Sequence, residues 1–365
     1  MARRASAKNE ASEKRSTIYD VARLAGVSAG TVSHVINRTA PISEETTRRV
    51  AEAMKALNYH RNENARALRT SDSKIVGIVI QDITSEYYAQ SIASILDCAQ
   101  KEGYAVFTAN GQFNMNVLKN SVAALIERRV NGIIFVGGAN DEAIYQLANA
   151  ANVPIVFGDR FVPDFPCVEF NNYETVNHLV HALYRQGYRR FSYFGEGLST
   201  QQNLDMRLNG FCDGVKSLGI PESDVDILLE IKREDIKMKT SFELFSRHLH
   251  RRSENEKWVI VTSNDMVAQG VISVALRAGW RVPEDVAVFG FDNISIASYA
   301  TPSISTVVQD PYELGKCCFD LLKERMSNTE GSWANVMLEQ EIAVRDSAWL
   351  DAGIAQSEGL RIYRD

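Results

Sequence analysis

From Lys74 onward the chain alternates short β-branched runs with amphipathic stretches of helical length, and no other feature narrows the fold as much. Apolar runs occupy 75–80, 105–107, 132–136 and 154–157, then 190–194, 258–261 and 286–289. Between them lie helical patterns over 87–101, 116–129, 141–149, 173–186, 205–218 and 265–278. The run Ile75-Val76-Gly77-Ile78-Val79-Ile80 has no polar position, which suits a strand covered on both faces. Strand–helix alternation of this length predicts a doubly wound α/β body of parallel sheets with right-handed crossovers. Two sets of strands, 74–170 and 171–302, predict two lobes. A small ligand then belongs at the carboxyl ends of the strands, in the cleft between the lobes.

The segment before Lys74 follows a different pattern. Ile18, Val21, Ala22 and Ala25 recur at helical spacing behind the capping hydroxyl of Thr17, with Asp20 in the first turn. Gly26 permits the left-handed exit that a sharp helix end needs. Ser28 caps a second helix over 29–37, with Val32, Val35 and Ile36 inward and Ala29, Gly30, Thr31, Ser33 and His34 outward. Ser43 caps a third, which carries Glu44 and Glu45 in its first turn and buries Val50, Met54 and Leu57. Two short helices joined by a glycine turn, with a third packed on both, predict an all-α helix-turn-helix head. The outward face of the second helix is small and polar, so its backbone can come close to base edges in a groove. Charge points the same way. Residues 1–70 hold 13 Lys and Arg against 7 Asp and Glu, while the rest hold 27 against 39. Only the head suits a polyanion.

The order of these residues resembles the head of the lactose-repressor (LacI/GalR) family of transcriptional regulators. The resemblance runs through Thr17-Ile18-Tyr19-Asp20-Val21-Ala22, Gly26-Val27-Ser28, Thr31-Val32-Ser33-His34-Val35-Ile36-Asn37, Ser43-Glu44-Glu45-Thr46 and Leu57-Asn58-Tyr59. The 31–37 stretch is most like that of the family's purine repressor. The resemblance implies DNA contacts by Ile18, Tyr19, Ser28, Ala29, Gly30, Thr31, Ser33, His34, Asn37, Thr46 and Tyr59. It also turns the polar linker 61–73 into a hinge that orders on DNA. There Asn62, Ala65 and Arg66 contact the duplex and Leu68 wedges into a minor-groove step. Two departures stand out. Ala29-Gly30 is an unusually small pair at the positions that set operator preference, and His34 replaces the arginine most members carry. Where the family has proline this chain has Arg61, so Arg61, Arg66 and Arg69 are expected to hold phosphates instead.

Over the body, to about Asp346, the resemblance implies the two-lobed periplasmic-binding-protein-like fold. The expected partition is 1–15 a basic disordered extension, 16–60 the head, 61–73 the hinge, and 74–346 the effector-binding and dimerisation domain. Lobe one takes 74–170 and 303–335, lobe two takes 171–302 and 336–346, and 347–365 forms a tail without leucine heptads. Ligand candidates sit at strand ends: Asp82, Tyr87, Tyr88, Asp159, Arg160, Asn264, Asp292 and Gln309, with Gln201, Asn203 and Arg207 ahead of Gly210-Phe211. Carboxylates and amides that accept hydroxyl pairs beside an aromatic plane fit a small sugar-like effector. Two positions depart from the family: Phe170 replaces an aspartate, and the charged run 231–235 falls where an aromatic is common.

Other classes are disfavoured. There is no G-x-G-x-x-G, G-K-[ST], H-E-x-x-H or G-x-S-x-G, so no enzyme, cofactor or metal site is expected. Five cysteines without a C-x-x-C pair suit reduced thiols. No apolar run reaches membrane-span length, and 1–15 lacks the apolar core of a secretory signal, so a cytoplasmic protein is expected. The expected function is a DNA-binding repressor of carbohydrate-utilisation genes, a homodimer on a roughly palindromic operator, controlled by a sugar-like effector. The alternatives are a purine or nucleoside corepressor and, from another class, a sugar-binding transport protein.

Overall fold

The computed structural model describes residues 16–59, 72–137, 142–196, 202–232, 235–249, 257–328 and 333–363. The chain divides into two compact units, Met1–Ser71 and Asp72–Asp365. The expected extension 1–15 lies outside the described residues, as does the hinge up to residue 71, with Asn62, Ala65, Arg66 and Leu68.

In the first unit, α1 (Ile18–Ala25), α2 (Ala29–Asn37) and α3 (Glu44–Ala56) form the expected three-helix head. Thr17 and Asp20 make a reciprocal capping box at the start of α1. Gly26 leaves α1 at φ +65°, where Arg49 Nη2 reaches over to the Ala25 carbonyl. Ser28 and Ser43 cap α2 and α3 through the backbone N–H groups of Thr31 and Thr46. Val21, Ala22, Ala25, Val32, Val50 and Ala53 form the core, with Met54 and Leu57 half-buried at its edge.

The second unit holds two sheets. The first has the order β11-β5-β4-β3-β1-β2, from Val336–Leu338, Cys167–Phe170, Ile155–Gly158, Gly132–Val136, Ile75–Ile80 and Ala105–Asn110. All its pairings are parallel. Helices α4 (Glu86–Lys101) and α12 (Pro311–Ser327) cover one face, α5 (Met115–Glu127) and α6 (Glu142–Ala150) the other. The second sheet has the order β13-β12-β10-β9-β8-β6-β7. Its strands are Arg361–Ile362, Glu341–Ala343, Ser305–Val308, Ala287–Asp292, Trp258–Thr262, Arg190–Glu196 and Val225–Ile231. Only the β10–β12 pairing is antiparallel among the described strands. Helices α7 (Asn172–Arg185), α8 (Gln202–Ser217) and α13 (Ala352–Ser357) cover one face. On the other lie α9 (Lys237–Ser246), α10 (Asp265–Arg277) and the short α11 (Ser295–Tyr299). No described helix is long and apolar enough to cross a membrane.

The lobe boundaries differ from the expected ones. β10 belongs to the second sheet and β11 to the first, so the chain crosses at 171, 309–310 and 339–340 rather than at 302/303 and 335/336. Each of those strands is only three or four residues long, and a short run has no periodicity to assign it to a sheet. Residues 347–363, expected as a tail, are bound into the second lobe. Leu350, Ala355 and Leu360 are buried in the second lobe, β13 extends its sheet, and Arg185 pairs with Glu358 at 2.6 Å.

Candidate functional site

The exposed face of α2 is narrow. Gly30 and His34 are exposed, and a Cβ added at Gly30 would meet only Ser28 Oγ, at 3.5 Å. Ser28 Oγ also pairs with Thr31 Oγ1 at 2.9 Å, holding both hydroxyls at the first turn of α2. His34 Nδ1 pairs with Thr39 Oγ1 at 2.9 Å, so the ring has a fixed azimuth and Nε2 remains for an outside partner. Tyr19 stands 73% exposed. Other expected contact residues are partly committed to the head itself. Ile18, Ala29 and Tyr59 pack half-buried on the core, contrary to an outward Ala29. Asn37 Nδ2 donates back to Ser33 O at 2.8 Å and its hydroxyl at 3.1 Å, and Thr46 Oγ1 accepts from Ser43.

In the second unit the strand ends converge on Arg207. Phe211, one turn on, is fully buried, and a Cβ at Gly210 would lie 2.3 Å from the Tyr173 carbonyl. α8 therefore lies flush on α7, and Arg207 projects from the same face as Phe211. Its Nε donates to Asn172 Oδ1 at 2.9 Å, Nη1 to the Ser263 carbonyl at 2.6 Å, and Nη2 to Gln309 Oε1. Nη2 also lies 3.5 Å from Asp292 Oδ1, and the guanidinium stacks 3.6 Å from the centroid of Phe291. One side chain thus ties together α7, α8, the ends of β8 and β9, and the second crossover.

Carboxylates from both lobes act on this centre. Burial pushes the Asp292 carboxyl up to about 6, with Arg207 opposing the rise and Glu196 adding to it. Asp292 also holds φ +96°, a strained backbone for a non-glycine residue at a strand end. Behind it, buried Asp265 accepts from Thr306 Oγ1 at 2.6 Å and Ile294 N at 2.9 Å. Its carboxyl is held well up by burial, then by Asp292. In the first lobe Tyr87 and Tyr88 meet edge to face at 5.5 Å. Burial raises both hydroxyls, and the charges of Asp159 and Asp292 raise them further. Among the described residues, the buried polar atoms Tyr87 Oη, Glu196 Oε2, Ser263 Oγ, Gln309 Nε2 and Gln340 Oε1 have no hydrogen-bond partner. A buried polar atom without a partner costs about 1–3 kcal/mol.

Comparison with known proteins decides the family. The bacterial regulatory proteins, lacI family, match residues 17–62, and the periplasmic binding protein-like domain matches 180–348. The HTH-type transcriptional repressor PurR of Mannheimia succiniciproducens is 30% identical over 335 residues, 91% of this chain and 98% of the relative. The chain belongs to the lacI family. The HTH-type transcriptional regulator RegA of Clostridium saccharobutylicum is 28% identical over 91% of this chain and 98% of its own length. Among solved structures, the lac repressor dimer bound to operator and the anti-inducer ONPF superposes with a TM-score of 0.77. It is 24% identical, over 92% of this chain and 99% of that one. The CelR–cellobiose complex gives a TM-score of 0.66 at 25% identity, over 92% and 100%. This chain is a DNA-binding transcriptional repressor with a periplasmic-binding-protein-like body, and it is not an enzyme.

Within this lacI-family repressor, the expected ligand residues separate into two groups. Arg207, Asp292 and Gln309 come together by direct contact, and the charges of Asp159 and Asp292 reach Tyr87 and Tyr88. Five others are committed to other contacts or lie outside the described residues. Asp82 Oδ1 accepts from Thr84 N and Oγ1, a loop-closing role. Arg160 is caged between Phe135, Phe157 and Tyr145 and donates to the Tyr145 hydroxyl at 2.6 Å, a brace within the first lobe. Asn264 caps α10 through Val267 N. Gln201 and the side chain of Asn203 lie outside the described residues. Sequence reasoning missed Asn172, Glu196 and Ser263. Glu196 ends β6 two residues beyond the run read as 190–194, and Ser263 follows β8 directly. Extending each strand to its end would have found both.

Proposed function

We propose that this repressor binds a roughly palindromic operator as a homodimer and that a small sugar-like effector in the cleft controls that binding. The observation that carries the effector reading is the set of buried polar atoms near Arg207 without partners among the described residues. Hydroxyls arranged on a ring would complete them, and the edge-to-face pair Tyr87 and Tyr88 offers an apolar flank. Asp159, Arg207, Asp292 and Gln309 are the contacts assigned in this reading. Two similar structures are described with sugars bound: the CelR–cellobiose complex and an Enterococcus faecium regulator with bound ribose. Control of carbohydrate-utilisation genes follows from that effector class.

On the DNA side, Tyr19, Ser28, Gly30, Thr31 and His34 read the groove, with Thr46 toward phosphate and the hinge residues Asn62, Ala65, Arg66 and Leu68 at the minor groove. One head has few base contacts, so useful specificity needs two. A second reading, a purine or nucleoside corepressor, rests on the 30% identity to a repressor named PurR. The test is an operator titration, on a site selected from random DNA, with neutral sugars, purine bases and nucleosides added in turn. A shift of about 5–150-fold in operator Kd with one sugar is expected. A shift with a purine alone would replace the sugar reading by the second.

A further inference from the structure

Glu196 closes β6 at the edge of the Arg207 centre and is 8% exposed. Its Oε1 lies 3.0 Å from Lys237 Nζ, at the start of α9, and Lys237 is itself anchored by donating to the Lys232 carbonyl at 2.6 Å. The carboxylate is thus held in one orientation, and its other oxygen, Oε2, has no donor. The ends of β6 and β8 lie close beside it. A Cβ at Gly195 would come within 3.0 Å of Ser263 Cβ, and the Ser263 carbonyl is the acceptor for Arg207. Glu196 therefore ends a strand that lies against the segment holding Arg207, and its charge acts on Asp292 and on Tyr88 of the other lobe.

Among the described residues, what remains open about Arg207 is unbalanced. Each terminal nitrogen of Arg207, and its Nε, already has a protein acceptor, and Lys237 holds Glu196 and a carbonyl. Among the described residues the open groups are the Glu196 and Gln340 oxygens, two hydroxyls that can act either way, and the single amide donor of Gln309, with the Asp292 carboxyl beside Arg207. A phosphate needs several donors and no adjacent carboxylate. A hydroxyl-rich neutral ring, or one bearing an ammonium, supplies the donors these oxygens lack.

We infer that Glu196 is a specificity-determining residue of the effector site, accepting a hydroxyl or ammonium proton from the effector and excluding phosphorylated sugars. The inference rests on the sugar reading above and adds the charge class of the ligand. Glu196→Gln tests it, because the amide keeps an oxygen for Lys237 and turns a donor toward the ligand. Isothermal titration of the full-length protein uses a neutral sugar found in the panel, its phosphate ester and hypoxanthine. In the wild type the phosphate ester binds at least about tenfold more weakly than the neutral sugar. In Glu196→Gln the neutral sugar weakens about tenfold and the gap to the ester closes. That ratio is a readout that mere loosening of the fold would leave unchanged. Equal binding of sugar and ester by the wild type, or an unchanged ratio in the variant, overturns the role of Glu196 and leaves the sugar reading standing. Binding of hypoxanthine with no sugar in the panel overturns both.

Discussion

Folding penalises the charged form of Asp292. Its carboxyl sits at about 6 in the fold against an ordinary 3.8, so the folded chain holds this proton more tightly than the unfolded one. Stability from this group is full below 3.8 and is lost as pH rises through 3.8 to 6, by at most about 3 kcal/mol. Asp292→Asn removes the titration. Its melting temperature at pH 7 should exceed that of the wild type, the difference should shrink by pH 4, and operator binding should no longer respond to effector. Thermal melts across that pH range check the first two, and a lower melting temperature at pH 7 would contradict them. An effector that donates to the ionised carboxylate should also bind more weakly as pH falls through 6. In the head, Gly26 holds φ +65° with Arg49 Nη2 only 2.7 Å from where a Cβ would stand. Gly26→Ala should destabilise the head by about 1–2 kcal/mol through left-handed strain and the displaced arginine. Chemical denaturation followed by a probe in the head measures this.

At the scale of elements, the proposed DNA contacts fall to α2 and to the linker. His34 is oriented by Thr39 and exposed at the helix face, so His34→Ala should relax sequence preference. Arg66→Ala should instead weaken binding to every sequence and flatten the salt slope by about one unit. Isotherms on operator and scrambled DNA at two salt concentrations separate the two. Equal losses on both DNAs for His34→Ala would show that it reads no base. A linker that orders on binding pays an entropy cost that base-step insertion must offset. Leu68→Ala should then cut operator affinity strongly while leaving effector affinity unchanged. Wild-type affinity in that variant would reduce 61–73 to a tether.

At the scale of the molecule, the two lobes are joined by more than three crossovers. Ile294, Ile296 and Met266 of the second lobe pack on the inner cluster of the first, and Glu86 Oε1 accepts from Ser295 N at 2.8 Å. Contacts of this kind let ligand occupancy bias the angle between lobes, because packed interfaces hold discrete arrangements. The segment 352–362 is committed to the second lobe's sheet and helix layer, so its residues cannot also form a coiled-coil assembly. Light scattering should report a dimer at micromolar concentration, and a stable tetramer would contradict this.

Local chemistry was enough to write the head and seven of the thirteen described body strands from sequence, while α9 and α12 went unread. Caps at Thr17, Ser28 and Ser43, the glycine exit at Gly26, and apolar runs such as 75–80 and 132–136 act over a few residues, and each element formed where its own pattern put it. Half of the cleft was legible for the same reason, since strand ends mark it. Contacts between segments distant in sequence decided the rest. Whether β10 and β11 join one sheet or the other depends on partners that three or four residues cannot encode alone. Asn264 and Arg160 have the chemistry of ligand contacts, yet an N-terminal turn and an aromatic cage claimed them. Glu196 and Ser263 look ordinary in the chain and became part of the centre because parallel strands ending side by side brought them to Arg207.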